Sequence, residues 1–212
     1  MGATGGPGRP GAVGATGARP VCRNSWCMAP DRPLEAVYWV GRYDGSLKKA
    51  IVAYKYRADL RWAKVFAGLL HQFLVRHATW FEEYAVLCPV PSFSGPLARR
   101  CWGHLELVCA ELSHLASAGW PVQSLVVKTA ETDPLSAKQR RLRQAIARQD
   151  LSRALAVPKD AVVEGRRVIV VDDVCASGET LLAVSRALRA AGAAEVSGLV
   201  LARASWRSPL PS

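Results

Sequence analysis

One stretch constrains this chain more than any other: Val168-Ile169-Val170-Val171-Asp172-Asp173-Val174-Cys175-Ala176-Ser177-Gly178-Glu179-Thr180. Its first four residues are β-branched and apolar, the mark of a strand buried on both faces, as in a parallel sheet. Two adjacent carboxylates follow, then a turn of small residues. A helix is expected from Ser177 to Ala191, with Gly192 ending it in the left-handed conformation. In an open parallel sheet, ligands bind at the carboxyl ends of the strands. The acids and the turn therefore fall where a ligand would sit.

That edge offers two tools. The loop Ala176, Ser177, Gly178, Glu179 and Thr180 brings unpaired backbone N–H groups to a helix start, where they can point at one anion. Gly178 permits close approach, and the Ser177 and Thr180 hydroxyls can donate. This is a phosphate cradle without the lysine of a P-loop, so nucleoside-triphosphate hydrolysis is not expected. Asp172 and Asp173 would repel the same phosphate. They suit neutral hydroxyls or a hydrated cation. A ligand carrying a phosphate and vicinal hydroxyls a few bonds apart fits both tools, and ribose 5-phosphate is such a ligand. A solvated acidic turn with an ordinary N-cap at Ser177 does not account for the order of strand, acid pair, loop and helix.

The rest of the chain alternates between strand and helix patterns, which indicates an α/β domain with a mainly parallel sheet. From Val37 to about Trp80 the pattern reads as helical. Leu47, Ile51 and Tyr54 share one side of a short helix. Trp62, Val65, Phe66, Leu69, Leu70 and Phe73 form an apolar face of a second, with Asp59 as its N-cap. Tyr84 to Cys88 is a short strand ending in the stiff Pro89-Val90-Pro91. Leu97 to Leu115 is helical, with Leu105, Val108, Cys109 and Leu112 inward. Ser124 to Val127 reads as a strand, Leu135 to Leu151 as a basic helical stretch and Val196 to Ala202 as the last strand. The expected organisation is a disordered Gly/Pro/Ala-rich tail at 1–20 and a Cys-pair segment at 21–35. A helical extension or hood at 36–82, an α/β domain at 83–205 and a tail at 206–212 follow. The glycines at 2, 5, 8, 11, 14 and 17 fall on a G-X-Y period, but so few triplets do not make a collagen helix.

Composition narrows the function classes. The net charge is +11, which points to an anionic partner without choosing among a phosphorylated small molecule, nucleic acid and a membrane surface. No apolar run is long enough for a membrane span, and no signal-type stretch opens the chain. The expectation is a cytoplasmic protein with its six cysteines reduced. Cys22 and Cys27 are a lone pair, and a structural zinc site needs four ligands, so no zinc centre is expected. Cys175, near a helix start, is read as a small loop filler. Residues 136–167 hold nine basic and three acidic residues, with few aromatics for base stacking.

On these residues the chain resembles the ComF/GntX branch of the type I phosphoribosyltransferase family. Val168 to Leu181 resembles that branch's VLLVDDVVTTGATL signature. Ala53 to Asp59 resembles its YKYRGD segment, Pro89-Val90-Pro91 its VPVP loop, and Ala190 to Ala194 its AAGA turn. The resemblance covers about residues 36 to 204. It implies a Mg²⁺-dependent site for phosphoribosyl pyrophosphate (PRPP). Asp172 and Asp173 would hold the ribose hydroxyls and are also the candidate Mg²⁺ contacts. Residues 176–180 would hold the 5-phosphate. Pro91, Ser92, Arg100 and His104 would lie on the pyrophosphate side. The chain departs from the branch where RRLRERGFNQ is usual: Gly95 to His104 keeps Arg100, with Trp102 for the aromatic and His104 for the last polar residue. Cys101 and Gly103 replace the Gly and Asn. Asp150 falls at the position of a downstream Asn, and the four-Cys zinc module is reduced to Cys22 and Cys27. The phosphate side looks intact and the pyrophosphate side eroded.

Three functions compete. The first is an enzyme moving a phosphoribosyl group from PRPP to an unidentified acceptor. The second is a non-catalytic PRPP- or nucleotide-binding accessory protein for DNA uptake, acting with a helicase or single-stranded DNA. The third is direct nucleic-acid binding through the basic region. The sequence leaves the acceptor and the oligomeric state open.

Overall fold

The computed structural model describes residues 33–92, 103–115, 119–130 and 151–204. The expectations for residues 1–20, Cys22, Cys27, Arg100, the basic stretch 135–150 and the tail at 206–212 lie outside them. In chain order the elements are β1 (Val37–Arg42), α1 (Gly45–Arg57), α2 (Trp62–Arg76), a 3-10 turn (Ala78–Trp80), β2 (Val86–Pro89) and α3 (His104–Leu115). Then come β3 (Val127–Lys128), β4 (Leu155–Ala156), β5 (Arg167–Cys175), α4 (Glu179–Ala190) and β6 (Glu195–Arg203).

The main sheet has the order β1-β6-β5-β2, and every neighbouring pair is parallel. A parallel sheet needs cover on both faces. Here α1, α2 and α3 cover one face, where Ile51, Phe66, Leu70 and Leu112 pack with Ile169, Val171 and Leu199. On the other, Leu181, Leu182, Val184 and Leu188 of α4 pack with Val168, Val170 and Val200. The two-residue period of a strand sends odd and even positions of Val168–Val171 to opposite layers. That is why a continuous apolar run, rather than an alternating one, marks this strand.

Three expectations need correction. Residues 37–42 are not helical. They form β1, paired along its length with β6, so the segment at 36–82 is not simply a helical extension: it begins inside the sheet. A short apolar run such as Val37-Tyr38-Trp39-Val40 does not distinguish strand from buried helix by periodicity, and its β-branched and aromatic content favours the strand. The acid pair does not follow β5 but lies within it. Pairing with β6 runs on to Cys175 opposite Arg203, which carries the strand past both carboxylates. Residues 124–127 are not a strand of the main sheet. Val122 bridges to Leu87, and only Val127–Lys128 is extended, in a separate antiparallel ribbon with Leu155–Ala156.

Elsewhere the structure agrees with some expectations and corrects two more, at Val65 and Asp59. Leu105, Val108, Cys109 and Leu112 are the buried residues of α3. The chain beyond α4 turns at Gly192, with φ +92°, and Ala193 N–H donates to the Leu188 carbonyl. The apolar face of α2 is Ala63, Phe66, Ala67, Leu70, Phe73 and Leu74. Val65 is displaced from that face and is about half exposed. Asp59 does not cap α2 with its side chain. The carboxylate is held by Arg61, while the Asp59 carbonyl accepts the Trp62 N–H.

Ala58 closes α1 in the left-handed region at φ +54°, the one non-glycine residue with positive φ among the described residues. The family segment it resembles carries glycine there. A Cβ in this region clashes with the backbone, at a cost of about 1 kcal/mol. Ala58→Gly is therefore expected to raise the stability of the chain by up to about 1 kcal/mol, read as a higher urea midpoint at unchanged slope. Leu70→Ala, at a fully buried position, should lower it by about 2–5 kcal/mol, while Val65→Ala should change it by about 0.5 kcal/mol or less.

Candidate functional site

The site lies where β5 gives way to α4. Residues 176–178 make the turn, and Gly178 precedes the helix with φ +82°, a conformation that glycine adopts without strain. Ala176 and Ser177 are exposed, Gly178 is buried, and Glu179 and Thr180 are partly buried. The first N–H groups of any α-helix have no carbonyl partner one turn back, which makes a helix start a place where an anion can be held. The Ser177 hydroxyl lies 3.5 Å from the Glu179 N–H, a weak local contact. Beneath the turn, Cys175 is 2% exposed, and its sulfur accepts a hydrogen bond from the Arg203 guanidinium. It fills space rather than facing solvent.

Asp172 and Asp173 sit one residue apart in a strand, so their side chains leave opposite faces. Their surroundings differ accordingly. Asp173 is on the face covered by α1 and α3. Lys55 of α1 places its Nζ 2.7 Å from both carboxylate oxygens, and His104 at the start of α3 places Nε2 2.8 Å from Oδ2. Lys55 and His104 together hold the Asp173 carboxyl well below the usual carboxylate range, against the opposing effect of burial. Among the described residues no cation contacts Asp172 in this way. Its Oδ1 accepts the Asp173 N–H at 2.8 Å. Burial, reinforced by the neighbouring Asp173 charge, pushes its carboxyl up to about 8. The two acids titrate as a unit, with Asp172 pushed toward its protonated form and Asp173 toward its ionised form. A pair split this way offers both an acceptor and a donor, which matches a hydroxyl-bearing ligand.

The residues expected on a pyrophosphate side are less open. Pro91 and Ser92 follow β2 at the same edge of the sheet. The Ser92 N–H and hydroxyl both donate to the Glu106 carboxylate, at 3.2 and 3.3 Å. A carboxylate thus already occupies the donors that an incoming anion would use. His104, also expected on that side, turns its ring to Asp173. Its backbone carbonyl accepts the Tyr54 hydroxyl, and Tyr54 is held far from ionisation by burial and by the Glu106 and Asp173 charges.

The sequence reading did not assign Lys55, Glu106 or Tyr54 to the site. Lys55 and Tyr54 belong to the segment that resembles YKYRGD, and that motif match was the available signal. Glu106 gave none, since an acid in the first turn of a helix is ordinary.

Fit to a metal ion can be tested directly. Among the described residues no three His, Cys, Asp or Glu side chains converge on one point. Both oxygens of Asp173 are taken by Lys55 and His104, and burial pushes Asp172 toward its protonated form. As arranged, the acid pair does not fit a Mg²⁺ ion bound directly by the protein. Cys88 and Cys109 are free and buried thiols, pushed up by burial to about 11 and about 12, and neither is a ligand candidate. No helix among the described residues is long and apolar enough to cross a membrane.

Comparison with known proteins gives a family to this geometry. The phosphoribosyl transferase domain profile matches residues 79–208, more than half of the chain. Competence protein F of Haemophilus influenzae is 30% identical over 187 residues, spanning 84% of this chain and 77% of that one. DNA utilization protein YhgH of Salmonella typhimurium is 25% identical over 179 residues, spanning 84% and 76%. The chain belongs to the phosphoribosyltransferase domain family, and within it is ComF-like. Among solved structures, the purine phosphoribosyltransferase of Pyrococcus horikoshii aligns at 20% identity over 71% of this chain and 80% of that one. Its TM-score of 0.40 adds nothing to the assignment.

The split acid pair has a consequence for stability. Unfolded, Asp172 would release its proton near pH 4, whereas in the fold it holds it to about pH 8. Between those values the folded chain binds the extra proton, so this group's contribution to stability declines as pH rises from about 4 to about 8. Asp173 acts in the opposite sense, adding stability above about pH 4 that is lost as the pH falls below it. Asp172→Asn should therefore flatten the decline between about pH 4 and 8, with the larger gain over wild type at the alkaline end, read from urea midpoints.

Proposed function

We propose that the chain binds a phosphorylated ribose, with PRPP the ligand its family resemblance implies. The carrying observation is the position of the Gly178 turn and the α4 N-terminus immediately after the buried acid pair, at the carboxyl edge of a parallel sheet. In this reading the 5-phosphate takes the N–H groups of residues 177–180 and the hydroxyls of Ser177 and Thr180. Asp173 accepts from a ribose hydroxyl, and Asp172 donates to the neighbouring one. The reaction is phosphoribosyl transfer: pyrophosphate leaves C1, the sugar becomes cationic, and an acceptor nucleophile closes on C1. The ionised Asp173 near the sugar favours that cation, and the fixed phosphate and diol hold C1 in place. Mg²⁺ accompanying PRPP would supply charge neutralisation to the departing pyrophosphate.

A second reading is a PRPP-binding accessory protein of DNA uptake that does not turn the ligand over. The Glu106 carboxylate on the Ser92 donors favours it, because a fixed negative charge there opposes a departing pyrophosphate. The names of the relatives, DNA utilization protein and Competence protein F, accord with it. A DNA-uptake helicase or single-stranded DNA would then be the macromolecular partner, in the cytoplasm.

Calorimetric titration with PRPP should give a site in the wild-type chain whose affinity falls at least about tenfold in Asp172→Asn/Asp173→Asn. No heat with PRPP in the intact chain refutes the ligand assignment. A pyrophosphate-release assay over purine, pyrimidine and related acceptors separates the readings. Release with any acceptor supports transfer, and tight binding without release supports the accessory role.

A further inference from the structure

The acid pair carries its own cation. Lys55 reaches it from α1, 118 residues earlier in the chain, and its ammonium is equidistant from both oxygens of Asp173. This is not a surface pair. The lysine side chain is one-fifth exposed and the Asp173 side chain 6%. His104 closes the arrangement on Oδ2. Tyr54, the residue before Lys55, donates to the His104 carbonyl, so two adjacent residues of α1 brace the Asp173 carboxylate and its second partner. A helix from outside the signature segment thereby fixes where the signature carboxylate points.

We propose that Lys55 is the built-in counter-cation of the acid pair. It is a positioning residue that holds Asp173 for the ligand and stands where a divalent ion would otherwise bind this carboxylate. A divalent ion placed on the same buried carboxylate as the Lys55 ammonium would be strongly repelled by it, because the surrounding protein screens little. With the ammonium seated, the pair has no room for a directly bound metal. It follows, on the ribose-phosphate reading above, that the sugar end of the ligand is bound without a metal ion bridging it to the protein. Dependence on Mg²⁺ would be confined to ligands that bring their own pyrophosphate.

The test uses the full chain and two probes. The first is Mn²⁺ alone, a paramagnetic stand-in for Mg²⁺, followed by electron paramagnetic resonance. The wild-type chain is expected to show no bound Mn²⁺ that Asp173→Asn removes. Lys55→Met should gain a bound Mn²⁺ that is lost again in Lys55→Met/Asp173→Asn. Lys55→Gln serves in place of Lys55→Met if that variant does not fold. An Asp173-dependent Mn²⁺ in the wild-type chain, or no gain in the folded lysine variant, overturns the proposal. The second probe is ribose 5-phosphate, titrated in Mg²⁺ and in EDTA. Wild-type affinity should agree within about twofold between the two, and Lys55→Met should bind at least about tenfold more weakly in EDTA, with part of the loss restored by Mg²⁺. Wild-type binding that disappears in EDTA, or a lysine variant that binds as well as wild type, also overturns it. If ribose 5-phosphate binds neither chain while Mn²⁺ behaves as expected, the counter-cation role stands and the ribose-phosphate reading fails.

Discussion

A carboxylate with almost none of its surface in water must either find a cation or give up its charge. Asp172 and Asp173, neighbours on one strand, take the two different courses. The strand's alternation sends Asp173 toward α1 and α3, where Lys55 and His104 meet it, and sends Asp172 to the other face without such a partner. The same backbone feature that splits the core into two layers therefore splits the acid pair into an anion and an acid. The site is polarised because β5 is a strand through both residues, and it would not be if the acids stood in a loop.

Both ends of the site are filled by the protein's own charges. Lys55 stands on Asp173, and Glu106 stands on the donors of Ser92. Each internal pair satisfies groups that would otherwise be buried and unpaired. A ligand entering this edge exchanges contacts rather than making them anew. The turn after β5 differs: Ala176 and Ser177 are exposed.

Much of the fold was legible in the sequence, and the limits have physical causes. Val168–Val171 was readable as a doubly buried strand because its environment is apolar on both sides, and Gly192 as a helix stop because φ +92° strains any residue with a Cβ. The strand at Val37–Arg42 was not legible. A short apolar run is compatible with either element, and it becomes a strand through pairing with β6, some 160 residues later. The length of β5 was underestimated for the same reason. Asp172 and Asp173 are poor strand formers in isolation, and the ladder to β6 decides their conformation.

For the site, the sequence by itself determined the chemistry available: an acid pair, a turn of small residues, a helix start and their order along the chain. Those are local relations, fixed by covalent spacing and by the periods of strand and helix. The tertiary structure decided which groups meet. Only the packing of α1 and α3 onto the sheet brings Lys55 and His104 onto Asp173, and only the return of α3 to the end of β2 puts Glu106 on Ser92. Contacts that control a buried carboxylate act over a few ångströms, and a few ångströms in space corresponds here to 69 and 118 residues of chain.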